Sequence, residues 1–436
     1  MTGLLTTCGW QFRDWTSSYR LFSRPRLPLA ELFAVVRRAV VSELPPGAPL
    51  RAVLDDTLLR RTGLRTPGVA WRRDPLGPHF QTNLVRAQRF LQTSLVLPNA
   101  HGARRVVPVA FTHAPTPPKP GKKATPEELK AYRVTVRGSR LSQRAVEQLR
   151  ELRAALDADP ATASRLLLIA FDGGYTNQTV LQHLPHHTLA IGRIRQDAKL
   201  LFRPHPSAQK ARGRRLLYGL PAPTPEQVRA DDSPWQTFSF HHAGQTHELR
   251  FKRRTGLMWR AAGASLTLQL VVIAPQGYRL RKGSKLLYRQ PAFLIATDEN
   301  LDPQVLLDTY LQRWGVEVNF REEKTLLGVG QAQVRSPRSV ESAPAFSVAA
   351  YALLLLATHR AFPAAAPDRL PRPKWSPTSP PDHVSTQQAL QQLRAEVWCR
   401  GLGLDHFSGF ASPPRSNSKP QKCSFPLASA ACYANA

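Results

Sequence analysis

The sequence predicts an α/β fold: a mixed sheet flanked by helices, with an all-β insertion ahead of the last helices and a small helical segment at the N-terminus. Three observations carry this expectation. The apolar run "RLLLIAFDGGY" ends in an aspartate and a Gly-Gly turn, and after a short helix comes a second run, "HTLAIGRIR", an order that builds parallel strands. From about residue 200 to 290 the pattern changes to short alternating runs such as "QTFSFHHAG", "THELRFKRRTG" and "SLTLQLVVIAP". At "AFLIATD" the α/β pattern resumes, and two helical stretches close it.

Residues 1–49 form the helical segment, because "LAELFAVVRRAVVSEL" repeats apolar residues at helical spacing and stops at Pro-Pro-Gly. Residues 50–199 begin the α/β domain. There "RAVLDDTLLRR", "RFLQTSLVLP" and "RRVVPVAFTHA" read as three strands of an antiparallel meander. A Pro/Lys-rich loop follows, and Thr125-Pro126-Glu127-Glu128 starts a helix that leads into "SQRAVEQLRELRAAL". Residues 200–290 are the β-rich basic insertion, and residues 291–362 complete the α/β domain. Residues 363–436 open with "PAAAPDRLPRPKWSPTSPPD", a Pro-rich composition that buries too little apolar surface to order itself, interrupted by one short helix in "TQQALQQLRAEVW".

The charge narrows the function. Sixty Lys and Arg against thirty Asp and Glu give +30 at neutral pH, a field that draws polyanions and favours nucleic acid by counterion release. No basic amphipathic helix stands out, and the longest apolar stretch, "FSVAAYALLLLATH", is too short to span a bilayer, so a membrane partner is not expected. The N-terminus has no secretion pattern, which places the chain in the cytoplasm. Four scattered cysteines, Cys8, Cys399, Cys423 and Cys432, form neither a disulfide framework nor a zinc knuckle. The histidines of "LQHLPHHT" and "FSFHHAGQTHELR" lack the partners a zinc site needs.

The stretch "TYLQRWGVEVNFREEK" reads as one helix on which Tyr310, Arg313, Glu317, Arg321 and Lys324 share a face beside an apolar stripe of Leu307, Leu311, Trp314 and Val318. Alone, such a row is a solvated stripe of i,i+4 pairs. Two other acidic positions change its meaning: Asp55 or Asp56 in "VLDDT", and Asp172 in "IAFDGGY", both following apolar strand runs. Three carboxylates from two strands and a helix can hold two divalent cations for in-line phosphoryl displacement. Oxygen-only ligation selects Mg²⁺ or Mn²⁺ over zinc. The basic runs "KARGRR" and "RLRKGSKLLYR", with Tyr278 and Tyr288 interleaved, suit contacts to a DNA backbone.

The quoted stretch matches the Tyr-x2-Arg-x3-Glu-x6-Lys signature and resembles the bacterial insertion-sequence DDE transposases. "VLDDT" and "FDGGYTN" resemble that family's first and second Asp motifs. The resemblance runs from about residue 50 to 360. It implies an RNase H-like catalytic domain with its β-rich insertion between the second Asp and the Glu, and a metal-binding triad of Asp55, Asp172 and Glu317. Asp56 is the alternative to Asp55, since Asp-x-Thr spacing favours Asp55 and strand alternation puts the two on opposite faces. It further implies two Mg²⁺ ions with Mn²⁺ as substitute, and phosphate contacts from Tyr310, Arg313 and Lys324, with Arg321 beside them on the basic face. Double-stranded DNA is the implied partner, as transposon terminal inverted repeats and target, held by a homodimer in synapsis at the bacterial nucleoid. Two rival readings are an RNase H-like nuclease without strand transfer and a non-enzymatic DNA-binding remnant of a transposon.

Overall fold

The computed structural model describes residues 12–362 and 384–394, apart from 64, 75–76, 79, 99–103, 206–214, 243–244, 282 and 392. Two helices open it, α1 (Thr16–Ser23) and α2 (Leu29–Ser42). The first half of the sheet follows: β1 (Leu50–Arg60), β2 (Ala70–Arg73), β3 (Leu84–Pro98) and β4 (Arg104–His113). β1 and β4 both pair antiparallel with β3, which is the expected meander, and the short β2 adds to the far end of β3.

Helix α3 (Pro126–Gly138) starts at the expected place. Thr125 and Glu128 exchange side-chain to backbone hydrogen bonds in a capping box, and Pro126 fills the first turn. Next come α4 (Leu141–Asp157), β5 (Leu167–Phe171), the one-turn α5 (Gln178–Leu181) and β6 (Thr188–Arg193). β5 pairs parallel with both β1 and β6, as strands joined by helical crossovers do.

The block from 200 to 290 contains β7 (Leu200–Phe202), a short α6 (Pro225–Ala230), β8 (Gln236–His242), β9 (Gln245–Trp259), β10 (Gly263–Ile273), and a hairpin of β11 (Gly277–Tyr278) and β12 (Leu287–Tyr288). β10 pairs antiparallel with β13 (Ala292–Ala296), which pairs with β6. The block therefore continues the central sheet, whose strand order is β2-β3-β1-β5-β6-β13-β10-β9-β7. One mixed sheet flanked by helices results, the architecture expected of an RNase H-like chain.

The stretch read as a single helix is two, α7 (Pro303–Leu311) and α8 (Trp314–Thr325). Between them the chain tightens into i→i+3 bonds, Gly315 N to Gln312 O at 2.9 Å and Val316 N to Arg313 O at 3.2 Å. Tyr310 thus belongs to one helix and Glu317 to the next. α9 (Pro337–Ala361) packs on α2 and β4. The apolar stretch judged too short to span a membrane lies in this 25-residue helix, which is long and apolar enough by length and composition; 61% of its most apolar window is buried inside the protein.

Alternation gives the sheet two distinct faces. Val53 packs with Val96, Val106, Val316 and Phe320 under α8, whereas Leu54 joins the large core formed with Leu149 and Leu152 of α4. Residues 1–11, 363–383 and 395–436, which include all four cysteines, lie outside the described residues; within the expected tail helix, 386–391 is helical.

Candidate active site

Leu54 of β1 pairs with Phe171 of β5 in parallel register. Asp55 and Asp172 are the next positions on these neighbouring strands, so they stand side by side at the carboxyl edge of the sheet. β5 ends at Phe171, and the turn that replaces it is fixed from several sides. Gly173 N donates to Asp172 Oδ1 at 2.7 Å, and Thr176 Oγ1 donates to the Asp172 carbonyl at 3.3 Å. Gly192 on β6 has to lack a side chain, because a Cβ there would lie 2.2 Å from Thr176 Oγ1.

Glu317 reaches the same edge from the first turn of α8. Close packing sets its height above the sheet. A Cβ on Gly315 would lie 2.3 Å from Val106 Cγ2, so only glycine lets the helix sit this near β4. Asn319 Nδ2 donates to the Val106 carbonyl at 2.7 Å, and the Tyr351 hydroxyl of α9 bonds both Asn319 Oδ1 and Glu322 Oε2, at 3.1 and 2.7 Å. α7 is tied to β1 by Arg51 and Asp308, 2.5 Å apart.

Arg313, in the turn between the two helices, takes the central place among the carboxylates. Its Nη1 donates to Glu317 Oε1 at 2.8 Å and stands 3.7 Å from Asp55 Oδ2, and Asp172 acts on it electrostatically. The Tyr310 hydroxyl is held above its ordinary pKa by burial and lies in the field of Arg313, Arg193 and Asp172. Asp55 is pushed up to about 7, chiefly by burial; the Asp56 N–H and Arg313 oppose the shift, while the Asp56 and Asp172 charges add to it.

Asp56 faces the other way. Tyr175 OH donates to its Oδ1 at 2.7 Å, and Arg89 Nε stands 3.2 Å from Oδ2. Burial and the Asp56 charge hold the Tyr175 hydroxyl far above its ordinary value. Asn177 caps α5 by accepting from Val180 N at 3.2 Å, a turn role.

Two of the expected phosphate-binding residues, Lys324 of the signature and Arg321 on the same basic face, sit apart from this cluster. Lys324 places its Nζ 5.9 Å over the Phe320 ring, with Glu323 and Arg60 as its charged neighbours, and Arg321 is exposed. Sequence reasoning missed Gly315, Gly192 and Arg193. Only Arg193 left a trace, as a basic residue directly after an apolar strand run.

The donor set suits a hard divalent cation by chemistry: oxygen ligands only, one of them a buried carboxyl that gains from a nearby positive charge, gathered around a guanidinium that now supplies it. Among the described residues no three His, Cys, Asp or Glu side chains stand close enough to share a single ion.

A family model described as DDE superfamily endonuclease matches residues 13–255, more than half of the chain, a span that includes Asp55 and Asp172 and ends before Glu317. Comparison with the curated proteins yields no match. The sheet edge, its paired aspartates and this match lead to one assignment: the chain belongs to the DDE superfamily endonucleases.

Proposed function

We propose that this chain is a transposase that cleaves transposon ends and transfers the freed strands, with Asp55, Asp172 and Glu317 as ligands of two divalent ions, Mg²⁺ or Mn²⁺. The observation that carries the reading is the convergence of these three side chains on Arg313 at one sheet edge.

Bound there, the ions supply Lewis-acid stabilisation of the charge that develops in an in-line phosphoryl transition state. The protein does the rest. Tyr310 and Arg193 beside the site bind phosphate oxygens together with Arg313, and a phosphate arriving there gives the central Arg313 guanidinium a new anionic partner. Lys324 and Arg60 extend that grip along the backbone, with Arg321 exposed beside them. The β11–β12 hairpin leaves the sheet at the same edge, since β10 and β13 pair through Ile273 and Ala292 there, and it carries Arg279, Arg281, Lys285 and Arg289 with the exposed Tyr278 and Tyr288.

In the first step a water oxygen forms a bond to the scissile phosphorus and the bond to the 3′ oxygen breaks, leaving a 3′-OH. That hydroxyl then attacks a second phosphodiester, the same displacement with a different nucleophile. Two terminal repeats held together call for two copies of the chain, one per end, acting on double-stranded DNA in the cytoplasm at the nucleoid. The test is a plasmid carrying this gene with its flanking DNA, incubated with the protein and Mg²⁺. Joined strand-transfer products support a transposase; nicks without joined products reduce the reading to a nuclease.

A further inference from the structure

Beyond Asp55 the sheet does not stop. β5 ends at Phe171, yet β1 runs on to Arg60 and β3 begins as far out as Leu84, with β2 alongside it, so a three-stranded finger projects past the carboxylates. Antiparallel partners share a face, and Asp55 pairs with Gln92, Thr57 with Phe90 and Leu59 with Gln88. Continuing along β3, Arg86 and Leu84 lie on that face too, and so do their partners Trp71 and Arg73. The face that carries Asp55 therefore carries Trp71 and Arg73 at its tip, and Arg86 stands six residues, about 20 Å, from Gln92.

This tip is unusual for a sheet end. Trp71 is 67% exposed, Leu84 53% and Phe80 92%, with Arg65 and Arg73 also exposed. Between residues 57 and 90 there are seven arginines and one acidic residue, Asp74, which is buried and paired with Arg60 at 2.6 Å. An apolar tip with basic flanks and no exposed carboxylate fits a polyanion that also offers apolar surface, and nucleic acid has both in its phosphates and its base or sugar faces.

We propose that the β2–β3 finger is a duplex-binding wall: Trp71 and Leu84 press against the groove of DNA flanking the scissile phosphate, and Arg65 and Arg73 hold its backbone. At 3.4 Å per base pair the contact falls about six base pairs from the carboxylates. The inference rests on the reading of the chain as a DNA-cleaving enzyme and extends it to a surface outside the site.

The experiment measures binding of the full chain to a 40-base-pair duplex of random sequence over a salt series, for wild type, Trp71→Ala, Trp71→Phe, Arg73→Ala and Asp172→Asn. Trp71→Ala is expected to weaken binding about tenfold with an unchanged salt slope, and Trp71→Phe to recover most of it. Arg73→Ala is expected to lower the slope by about one. Because the side chains are exposed, melting temperatures should match wild type. Wild-type affinity and slope in both alanine variants overturn the proposal. So does a Trp71→Ala variant that binds DNA normally but loses a self-associated species in light scattering, since the patch then meets a second copy. Failure of wild type and Asp172→Asn alike to bind the duplex overturns the functional reading along with it.

Discussion

Arg313 Nη1 stands 3.7 Å from Asp55 Oδ2 while donating to Glu317 Oε1 at 2.8 Å, so one guanidinium bridges a strand carboxylate and a helix carboxylate. It acts as the site's own counter-ion. Arg313→Gln leaves like charges facing one another, and without added metal the protein should lose about 1–3 kcal/mol of stability. Mg²⁺ should restore more of the melting temperature in the variant than it adds to wild type. Equal Mg²⁺ shifts in the two proteins would show that Arg313 and the ion do not share a place.

Asp55 and Asp56 differ in face, and their variants should differ in consequence. Asp55→Asn is expected to abolish cleavage with little loss of fold. Asp56→Asn still accepts from Tyr175 but weakens the Arg89 contact, costing about 1 kcal/mol with cleavage retained. The reverse pattern in a nicking assay would exchange the two roles.

Glu323 is 1% exposed, within hydrogen-bonding reach of Gln92, and burial pushes its carboxyl up to about 8. Its Oε1 and Gln92 Oε1 both lack a partner, an imbalance that an added proton on Glu323 relieves. The folded form holds that proton more tightly than the unfolded chain. The stability this contributes is complete below the unfolded carboxyl's range and is lost as pH rises toward 8, at about 1.4 kcal/mol per unit at most. Melts of wild type and Glu323→Gln at pH 5, 7 and 9 should show the variant gaining on wild type as pH rises; a constant difference contradicts the assignment.

Gly315 sets the distance between α8 and β4. Gly315→Ala puts a methyl 2.3 Å from Val106 Cγ2, and a loss of about 1–3 kcal/mol together with most of the cleavage activity is expected. Val106→Ala in the same chain should return part of both. Additive losses in the double variant would show that the two residues do not meet.

How far the sequence carries this picture depends on the range of the interactions. "IAFDGGY" is readable because the apolar run, the acid and the turn are neighbours in the chain, and Thr125 to Glu128 is readable because a capping box is local. The sequence favours Asp55 over Asp56 only by Asp-x-Thr spacing, since alternation separates the two without saying which face α8 covers. That the β-rich block joins the central sheet depends on β10 meeting β13, a non-local pairing without a local signal. Gly315 and Glu323 acquire meaning only from what lies across from them, Val106 and Gln92. The four-residue β2, "AWRR", is too short for a strand pattern to register, so the finger it builds was invisible.

The most direct test of the carboxylate site compares wild type and Glu317→Gln for binding and for Mg²⁺-dependent nicking of duplex carrying the gene's own flanking DNA. The account predicts binding within about twofold of wild type and no nicking by the variant, because the change removes one ligand oxygen and leaves the basic surface in place. Nicking at the wild-type rate by Glu317→Gln, or an equal loss of binding and nicking, would contradict a metal-holding role for Glu317.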